Sequence, residues 1–287
     1  MKSSKFKNLL LIVGIYCAAG LVGVITFKML PEYSYLIRVL IGDVAATIFV
    51  FLGSLLLKNS SVYDPYWSVA PLVILPLTAW YYNRFSVEVL ILLGTVFFWG
   101  IRLTLNWMYT FTDFTYQDWR YVMLKEKSKQ FYPIVNFFGI HLFPTLIVYG
   151  AMVPAMLFIK EGSFSLLMLV GIAVSVIGTL LELISDYQMH TFKRTNIIKG
   201  KIIDVGLWKY SRHPNYLGEI LMWWGVYLVM SSALPQLWMA LIGALLNTCM
   251  FIFISIPMAE TKLSQTKLDF LDYVKSTRML LPFKKSH

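Results

Sequence analysis

The segment 206–225, with the sequence GLWKYSRHPNYLGEILMWWG, holds the densest group of residues that are capable of chemistry. Pro214 predicts a helix start, because its fixed φ and missing N–H suit the first turn of a helix. A helix N-terminus offers free N–H groups and a partial positive charge, and both favour phosphate. Arg212 adds a bidentate phosphate donor and His213 adds a second donor. The segment therefore predicts a site for an anionic ligand that carries phosphates.

Upstream of this segment, further cations strengthen the positive field: Lys193, Arg194, Lys199, Lys201 and Lys209. The sequence contains neither GxGxxG nor a P-loop, so a nucleotide site would have to lie within a helical bundle. The four histidines are scattered and lack the spacing of metal ligands, so we expect no metal site. We expect no nucleic-acid partner either.

Ionisable residues also occur within apolar stretches, where each costs about 2.5–3.5 kcal/mol and is a functional candidate by default. Several belong to pairs four residues apart, which places both members on one helical face. The set is Asp43, Asp64, Arg102 with Asn106, Glu182 with Asp186, and Asn215 with Glu219. The three pairs are predicted to converge at one depth, near the cytoplasmic leaflet. A buried ion-pair lattice, for example between Arg102 and Glu182, is the alternative, and for Asp43 we favour a structural pairing.

The elements that must position these residues are membrane helices. Hydrophobic residues make up 58% of the chain and charged residues 14%, against about 45–50% and about 25% in soluble domains. A membrane-spanning helix needs about 20 apolar residues. Eight apolar stretches approach this length: 9–27, 36–57, 66–82, 87–109, 134–159, 164–188, 216–232 and 236–258. The sequence thus predicts an all-α polytopic membrane bundle of about eight transmembrane helices, of which 66–82 and 216–232 are the shortest.

The distribution of basic residues predicts the orientation of the bundle. Of the 25 lysines and arginines, only five fall outside the segments 1–8, 58–65, 110–133, 189–215 and 259–287. The exceptions are Lys28, Arg38, Arg84 and Lys160 on the opposite side and Arg102 within a span. Because cytoplasmic loops carry the excess of Lys and Arg, both termini are predicted to be cytoplasmic. The terminal Lys284 and Lys285 are interpreted as anchors on anionic lipid.

The motifs together resemble the steroid 5-alpha-reductase-like family, in its bacterial branch formerly described as a domain of unknown function. Beside the segment GLWKYSRHPNYLGE and its Trp-Trp-Gly, the resemblance rests on motifs spread from about residue 40 to 283. They are Asp64-x-x-Trp67-Ser68, Arg102-x-Thr104-x-Asn106-Trp107, Asp118-Trp119-Arg120-Tyr121, Glu182-x-x-x-Asp186-x-Gln188 and Tyr273-x-x-x-x-Arg278-x-x-x-Pro282. The shorter RHPxY piece also resembles isoprenylcysteine carboxyl methyltransferases and sterol C14 reductases.

The resemblance implies a helical membrane fold with a cytoplasm-facing NADPH cavity. Family reductases transfer hydride to a carbon–carbon double bond that is conjugated with a carbonyl. Carried over by motif, the cofactor-binding candidates are Asn106, Arg120, Asp186, Lys193, Arg212, His213, Asn215, Tyr216, Glu219 and Tyr273. The catalytic candidates are Asp64, Tyr66 and Arg102. We therefore expect a multi-pass protein of the bacterial inner membrane that acts on a lipid or steroid-like substrate.

The chain departs from the steroid-reducing members at their acid pair. A Glu and a Tyr polarise the substrate carbonyl there, and the matching positions are Asp64 and Trp99. Trp has no acidic proton, so Tyr63, Tyr66 or Tyr109 would have to replace the phenol. The resemblance also implies that 36–287 forms the family domain with seven helices and that 1–35 carries an additional N-terminal transmembrane helix.

Three hypotheses follow for the function. The first is an NADPH-dependent reductase of a conjugated double bond in a lipid enone. The second is an S-adenosylmethionine-dependent methyltransferase of the isoprenylcysteine type, suggested by Arg212-His213-Pro214-x-Tyr216 and Glu260. The third is a non-catalytic lipid-binding or transport protein, suggested by Trp99.

Overall fold

The protein is helical throughout the part of the chain that the structure describes. The structure, a computed structural model, describes residues 2–198 and 200–281, with side chains from Lys5 onward. Lys199, Pro282, Lys284 and Lys285 lie outside the described residues. The α-helices are α1 (Lys2–Lys28), α2 (Tyr35–Leu56), α3 (Tyr66–Tyr81), α4 (Val87–Thr110), α5 (Trp119–Ser128), α6 (Tyr132–Val135), α7 (Phe143–Glu161), α8 (Leu166–Thr195), α9 (Pro214–Ala233), α10 (Leu241–Met250), α11 (Ile256–Thr266) and α12 (Phe270–Ser276). No β-strand forms within these residues, which confirms the predicted all-α class.

Six helical segments in the described chain are long and apolar enough to cross a membrane. They are Lys5–Lys28, Tyr35–Leu56, Val87–Thr110, Trp119–Glu161, Leu166–Thr195 and Pro235–Thr266. Two of them continue through π-helical turns, Asn136–Leu142 before α7 and Phe251–Ser255 before α11. The chain is therefore a multi-pass helical membrane protein.

The two shortest predicted spans are helical but fall outside this set. α3 has 16 residues and contains Pro71 and Pro76, and α9 has 20 residues. A helix of 16 residues is about 24 Å long, less than the hydrocarbon core of about 30 Å. Six spans are confirmed by length and composition, and the count of eight stays a prediction.

The chain divides into two compact units. Unit 1 comprises Met1–Asn83 and Gly100–Val153, and unit 2 comprises Arg84–Trp99 and Pro154–His287. The predicted division into 1–35 and 36–287 stays a prediction.

Unit 1 contains α1 packed along α2 and a buried polar network. The Tyr63 hydroxyl and the Thr145 hydroxyl share a hydrogen bond of 2.8 Å, and Thr145 and Thr47 share one of 3.0 Å. All three side chains are buried. Because hydroxyls both donate and accept, the network satisfies polar groups that would be costly in an apolar interior.

Unit 2 is built on the close contact between α8 and α9. A Cβ atom added at Gly178 would lie 2.5 Å from the carbonyl oxygen of Gly218, and the reverse substitution would give the same distance. Only a residue without a side chain permits this approach. The contact holds the first turns of α9 against α8, and these are the turns that follow the predicted anion site.

Candidate functional site

The basic segment that leads into α9 is held by the C-terminal part of the chain. The helix begins at Pro214, as predicted, and His213 precedes it. Ser211 and Arg278 form an isolated parallel bridge, and the backbone N–H of Arg212 donates to the carbonyl oxygen of Arg278 at 2.9 Å. This pairing fixes the backbone from which the Arg212 side chain extends.

Glu260 on α11 binds both side chains of the Arg212–His213 pair. Arg212 Nε donates to Glu260 Oε1 at 2.8 Å, and His213 Nε2 lies 3.0 Å from the same oxygen. Arg212 is 8% exposed and His213 is 4% exposed, so the interactions form in a largely dry environment. An ionised carboxylate only accepts hydrogen bonds, so this contact assigns the proton to Nε2 of the imidazole.

The Arg212 guanidinium is only partly used by these contacts. Its Nη1 donates to the carbonyl oxygen of Thr277 at 2.7 Å, in addition to the bond from Nε to Glu260. Within the described residues, Nη2 donates to no other group. A guanidinium carries five N–H donors, so Arg212 retains donors for a ligand.

The His213 ring is oriented by an aromatic neighbour as well as by Glu260. It stacks on Tyr216, with ring centroids 5.4 Å apart and planes 5° apart. Tyr216 in turn contacts Phe251 at 4.9 Å. The first turn of α9 thus presents a rigid pair of planar rings.

A cavity of about 210 Å³ opens beside Arg212. Its lining combines apolar and aromatic walls with three cationic side chains, and no carboxylate is among the lining residues. The residues are Met189, Phe192, Lys193, Ile202, Ile203, Trp208, Arg212, Leu263, Lys267 and Tyr273. Such a lining fits a ligand that has both an apolar or aromatic part and negative charge.

The loop that lines this cavity is held in place at Leu207 and Trp208. The backbone N–H of Leu207 donates to Gln188 Oε1 at 2.9 Å, and the Trp208 indole donates to the carbonyl oxygen of Ser185 at 3.1 Å. The Tyr273 hydroxyl donates to the carbonyl oxygen of Trp208. Gly206, with φ of +60°, supplies the left-handed turn that the loop requires.

Three predicted cofactor-binding residues come together in this cavity: Lys193, Arg212 and Tyr273. His213 and Tyr216 adjoin it through the start of α9. Asp186 and Asn215 are half-buried on α8 and α9 and are not among its lining residues.

Glu219 lies deeper along α9 and is held by two tryptophans. Its Oε2 accepts from the Trp99 indole at 2.8 Å, and its Oε1 accepts from the Trp223 indole at 2.8 Å. All three side chains are buried, and the two indoles meet edge to face at 5.0 Å. Trp99 therefore places a neutral N–H donor on a buried carboxylate.

The remaining predicted site residues belong to unit 1. Asp64, in the loop before α3, accepts a hydrogen bond from the Tyr121 hydroxyl. Arg120 forms a two-pronged contact with Asp118, through Nε at 2.8 Å and Nη2 at 3.1 Å. Burial raises the pKa of the Asp64 carboxyl to about 6, against the opposing charge of Arg120. Asp64 is thus a carboxyl that holds a proton more readily than an exposed one.

Tyr66 and two residues of α4 complete the predicted site residues of unit 1. The Tyr66 hydroxyl donates to Asp43 Oδ1 at 2.8 Å, which is a partner that the sequence did not predict for it. Arg102 is buried on α4, and Asn106 is half-buried one turn later.

The sequence missed three participants in the unit 2 site. Glu260 suggested a methyltransferase, yet the structure places it as the partner of Arg212 and His213. Trp208 and Lys267 line the cavity but were not predicted to do so. Glu260 had one signal in the sequence, because it is a carboxylate directly after the last apolar stretch, but its pairing with Arg212 joins residues 48 positions apart.

The comparison with protein families gives one match. Residues 50–277 match the family described as "Protein of unknown function (DUF1295)". The match spans the candidate site residues of both units.

Comparison with individual proteins gives more distant relatives. An "Uncharacterized protein C594.04c" of Schizosaccharomyces pombe is 27% identical over 220 residues, which covers 65% of this chain and 64% of that protein. The "3-oxo-5-alpha-steroid 4-dehydrogenase 2" proteins of Sus scrofa and Homo sapiens are 31% and 30% identical over 113 residues. The chain spans 41% of the length of each steroid enzyme and less than two thirds of the yeast protein. No solved structure matches the chain.

The raised pKa of Asp64 predicts a pH-dependent stability. A carboxyl whose pKa is higher in the folded state stabilises the fold at low pH, and this contribution is lost as the pH rises through about 6. The Tm of the wild type should therefore fall relative to the Tm of Asp64→Asn as the pH rises from about 4 to 6, because only the wild type loses this contribution. Thermal unfolding in detergent across this range measures it.

Tyr121→Phe provides the matched variant, because it removes the hydrogen bond to Asp64 without removing the ring. The hydrogen bond from Tyr121 lowers the pKa of Asp64, so its loss should raise that pKa further. The stability that depends on protonated Asp64 should then be lost at a higher pH than in the wild type. A Tm difference that stays flat in both variants would contradict a perturbed Asp64.

Proposed function

The chain belongs to the DUF1295 family, the steroid 5-alpha-reductase-like family, and on this basis we propose that it is a membrane-embedded NADPH-dependent reductase. The proposed reaction reduces a conjugated carbon–carbon double bond in a lipid or steroid-like enone. The observation that carries the proposal is the cationic cavity of unit 2, lined by Lys193, Arg212 and Lys267.

The residues of this cavity fit an anionic nucleotide. Its cations offer charge-assisted hydrogen bonds to phosphate oxygens, and the Trp208 ring and aliphatic walls offer contact for a flat ring system. At about 210 Å³ the cavity is below the roughly 300–1,000 Å³ of typical ligand pockets, so it would hold only a part of NADPH, such as a phosphate with its sugar. Bound NADPH would supply the hydride, while the protein supplies orientation and charge.

We propose that Arg212 binds phosphate through its remaining N–H donors while its positive charge is largely balanced by Glu260. Glu260 balances its guanidinium, so the donors that remain can bind an anion while Lys193 and Lys267 supply the net positive charge. Lys267 is itself placed by a hydrogen bond of 2.9 Å from Nζ to the carbonyl oxygen of Lys201.

On the substrate side, Asp64 is the proposed acid. Reduction of an enone builds negative charge on the carbonyl oxygen, and a nearby hydrogen-bond donor stabilises that charge. Burial raises the pKa of Asp64 to about 6, which keeps a larger share of the carboxyl protonated near neutral pH. Tyr66 commits its single proton to Asp43, so Asp64 is preferred to it, and Arg102 stays a further candidate.

The methyltransferase alternative is less compatible with the same cavity. S-adenosylmethionine carries a sulfonium cation and no phosphate, so three cationic lining residues would oppose its binding. Glu260, which suggested this alternative, is engaged by Arg212 and His213. Trp99, which suggested a non-catalytic protein, donates to Glu219 within unit 2.

Ligand titration of the purified protein tests the proposal. Thermal stabilisation should be strongest with NADPH, weaker with NADH and absent with S-adenosylmethionine. Lys193→Ala should weaken NADPH binding about tenfold, because one charge-assisted contact is lost. Arg194→Ala removes the same charge from the next residue, which does not line the cavity, and should leave binding unchanged.

Two outcomes of this titration would overturn the reductase. Stabilisation by S-adenosylmethionine without stabilisation by NADPH would favour the methyltransferase. Tight NADPH binding without its oxidation by any of a panel of lipid enones would favour the non-catalytic protein.

The location of the protein follows from the basic segments. We propose that it lies in a bacterial inner membrane with both termini, and the cavity of unit 2, facing the cytoplasm. NADPH does not cross sealed membranes. Added protease should therefore cleave the Lys193 segment only in inverted inner-membrane vesicles, and NADPH should slow that cleavage. Cleavage of this segment in sealed vesicles of native orientation, slowed by added NADPH, would reverse the assigned orientation.

A further inference from the structure

A second cavity, of about 190 Å³, lies within unit 1. Its walls come from α1, α2 and α3, and no residue lines both this cavity and the cationic one. The walls are apolar along most of their length, with Gly20, Val24, Val39, Val73 and Ile74 among the lining residues. For scale, an apolar cavity of about 150 Å³ is large enough to bind benzene.

The cavity contains one buried polar pair, Asp43 and Tyr66. The Tyr66 hydroxyl donates to Asp43 Oδ1 at 2.8 Å, and both residues line the cavity. Asp43 is only 6% exposed, and no other hydrogen bond reaches its carboxylate from the residues that the structure describes. A buried carboxylate with one partner is costly, so a further donor entering the cavity would be stabilised.

The donors and acceptors that Asp43 and Tyr66 leave unused indicate which kind of ligand could bind in this cavity. Tyr66 has one proton and gives it to Asp43, so with the Asp43 carboxylate ionised both groups can offer only acceptor positions to a ligand. The ligand must therefore bring a donor, and a neutral hydroxyl does so without carrying a charge into an apolar site. We propose that this cavity binds a lipid alcohol, with its hydroxyl on Asp43 and its apolar body between α1, α2 and α3.

A close helix contact and a group of aromatic rings border the cavity. Along the α1–α2 contact, a Cβ atom added at Gly23 would lie 3.1 Å from the carbonyl oxygen of Gly42, so the two helices pack closely there. Near the C-terminal end of α1, Phe27 meets the rings of Tyr35 and Tyr81 at 5.5 and 5.7 Å, and these rings and Lys28 also line the cavity. The additional N-terminal helix thus provides one wall of a binding site.

Photolabelling of the full-length protein in detergent tests the proposal. The probe is a diazirine derivative of 1-decanol, and its methyl ether is the control that has the same chain but no donor. Peptide mapping should find the alcohol on α1, α2 and α3, with labelling at least about fivefold higher than for the ether.

Two glycines of α1 provide a matched pair of variants. A Cβ atom added at Gly20 or at Gly14 would meet no atom within 4 Å, but only Gly20 lines the cavity. Gly20→Trp should fill the cavity and reduce labelling about tenfold or more, whereas Gly14→Trp should leave it unchanged.

Asp43→Leu separates recognition of the hydroxyl from binding of the chain. In this variant the alcohol should label no better than the ether, while labelling by the ether stays as in the wild type. Equal labelling by both probes in the wild-type protein would overturn the role of Asp43. Labelling that is spread over all helices and insensitive to Gly20→Trp would overturn the site itself.

Discussion

The geometry of the candidate site in unit 2 depends on one carboxylate oxygen. Glu260 Oε1 accepts from Arg212 at 2.8 Å and from His213 at 3.0 Å, and it thereby links α11 to the start of α9. Without this acceptor, a buried guanidinium would lack its counter-charge, which is among the costliest defects in a protein interior. The same contact orients the imidazole that stacks on Tyr216. The arrangement of the first turn of α9 therefore follows from Glu260.

The charge of the cavity follows from this pairing. Because Glu260 neutralises Arg212, the net positive charge of the lining comes from Lys193 and Lys267, on α8 and beside α11. Arg212 then contributes directed hydrogen bonds from the donors of its planar guanidinium, and the two lysines contribute positive electrostatic potential. This division of roles is consistent with the proposed phosphate-bearing ligand.

Features that are local in sequence were predicted well, and those that join distant residues were not. The helix start at Pro214 and the all-α class follow from residue types and apolar stretches, and both are confirmed. The hydrogen bond from Trp99 to Glu219 and the ion pair of Arg212 with Glu260 join residues 120 and 48 positions apart, and only the packed helices bring them together. Asp43 was predicted to have a structural partner, and in the structure this partner is Tyr66. Tyr66 itself had been predicted from the sequence to be a catalytic residue.

A double-mutant cycle between Arg212 and Glu260 tests the central role of this ion pair most directly. The free energy of unfolding is measured in detergent for Arg212→Gln, for Glu260→Gln and for the double variant. Each single change should destabilise the protein, and the double variant should lose at least about 1 kcal/mol less than the sum of the two. Additivity within about 0.3 kcal/mol would contradict the account, because it would mean that the two side chains act independently.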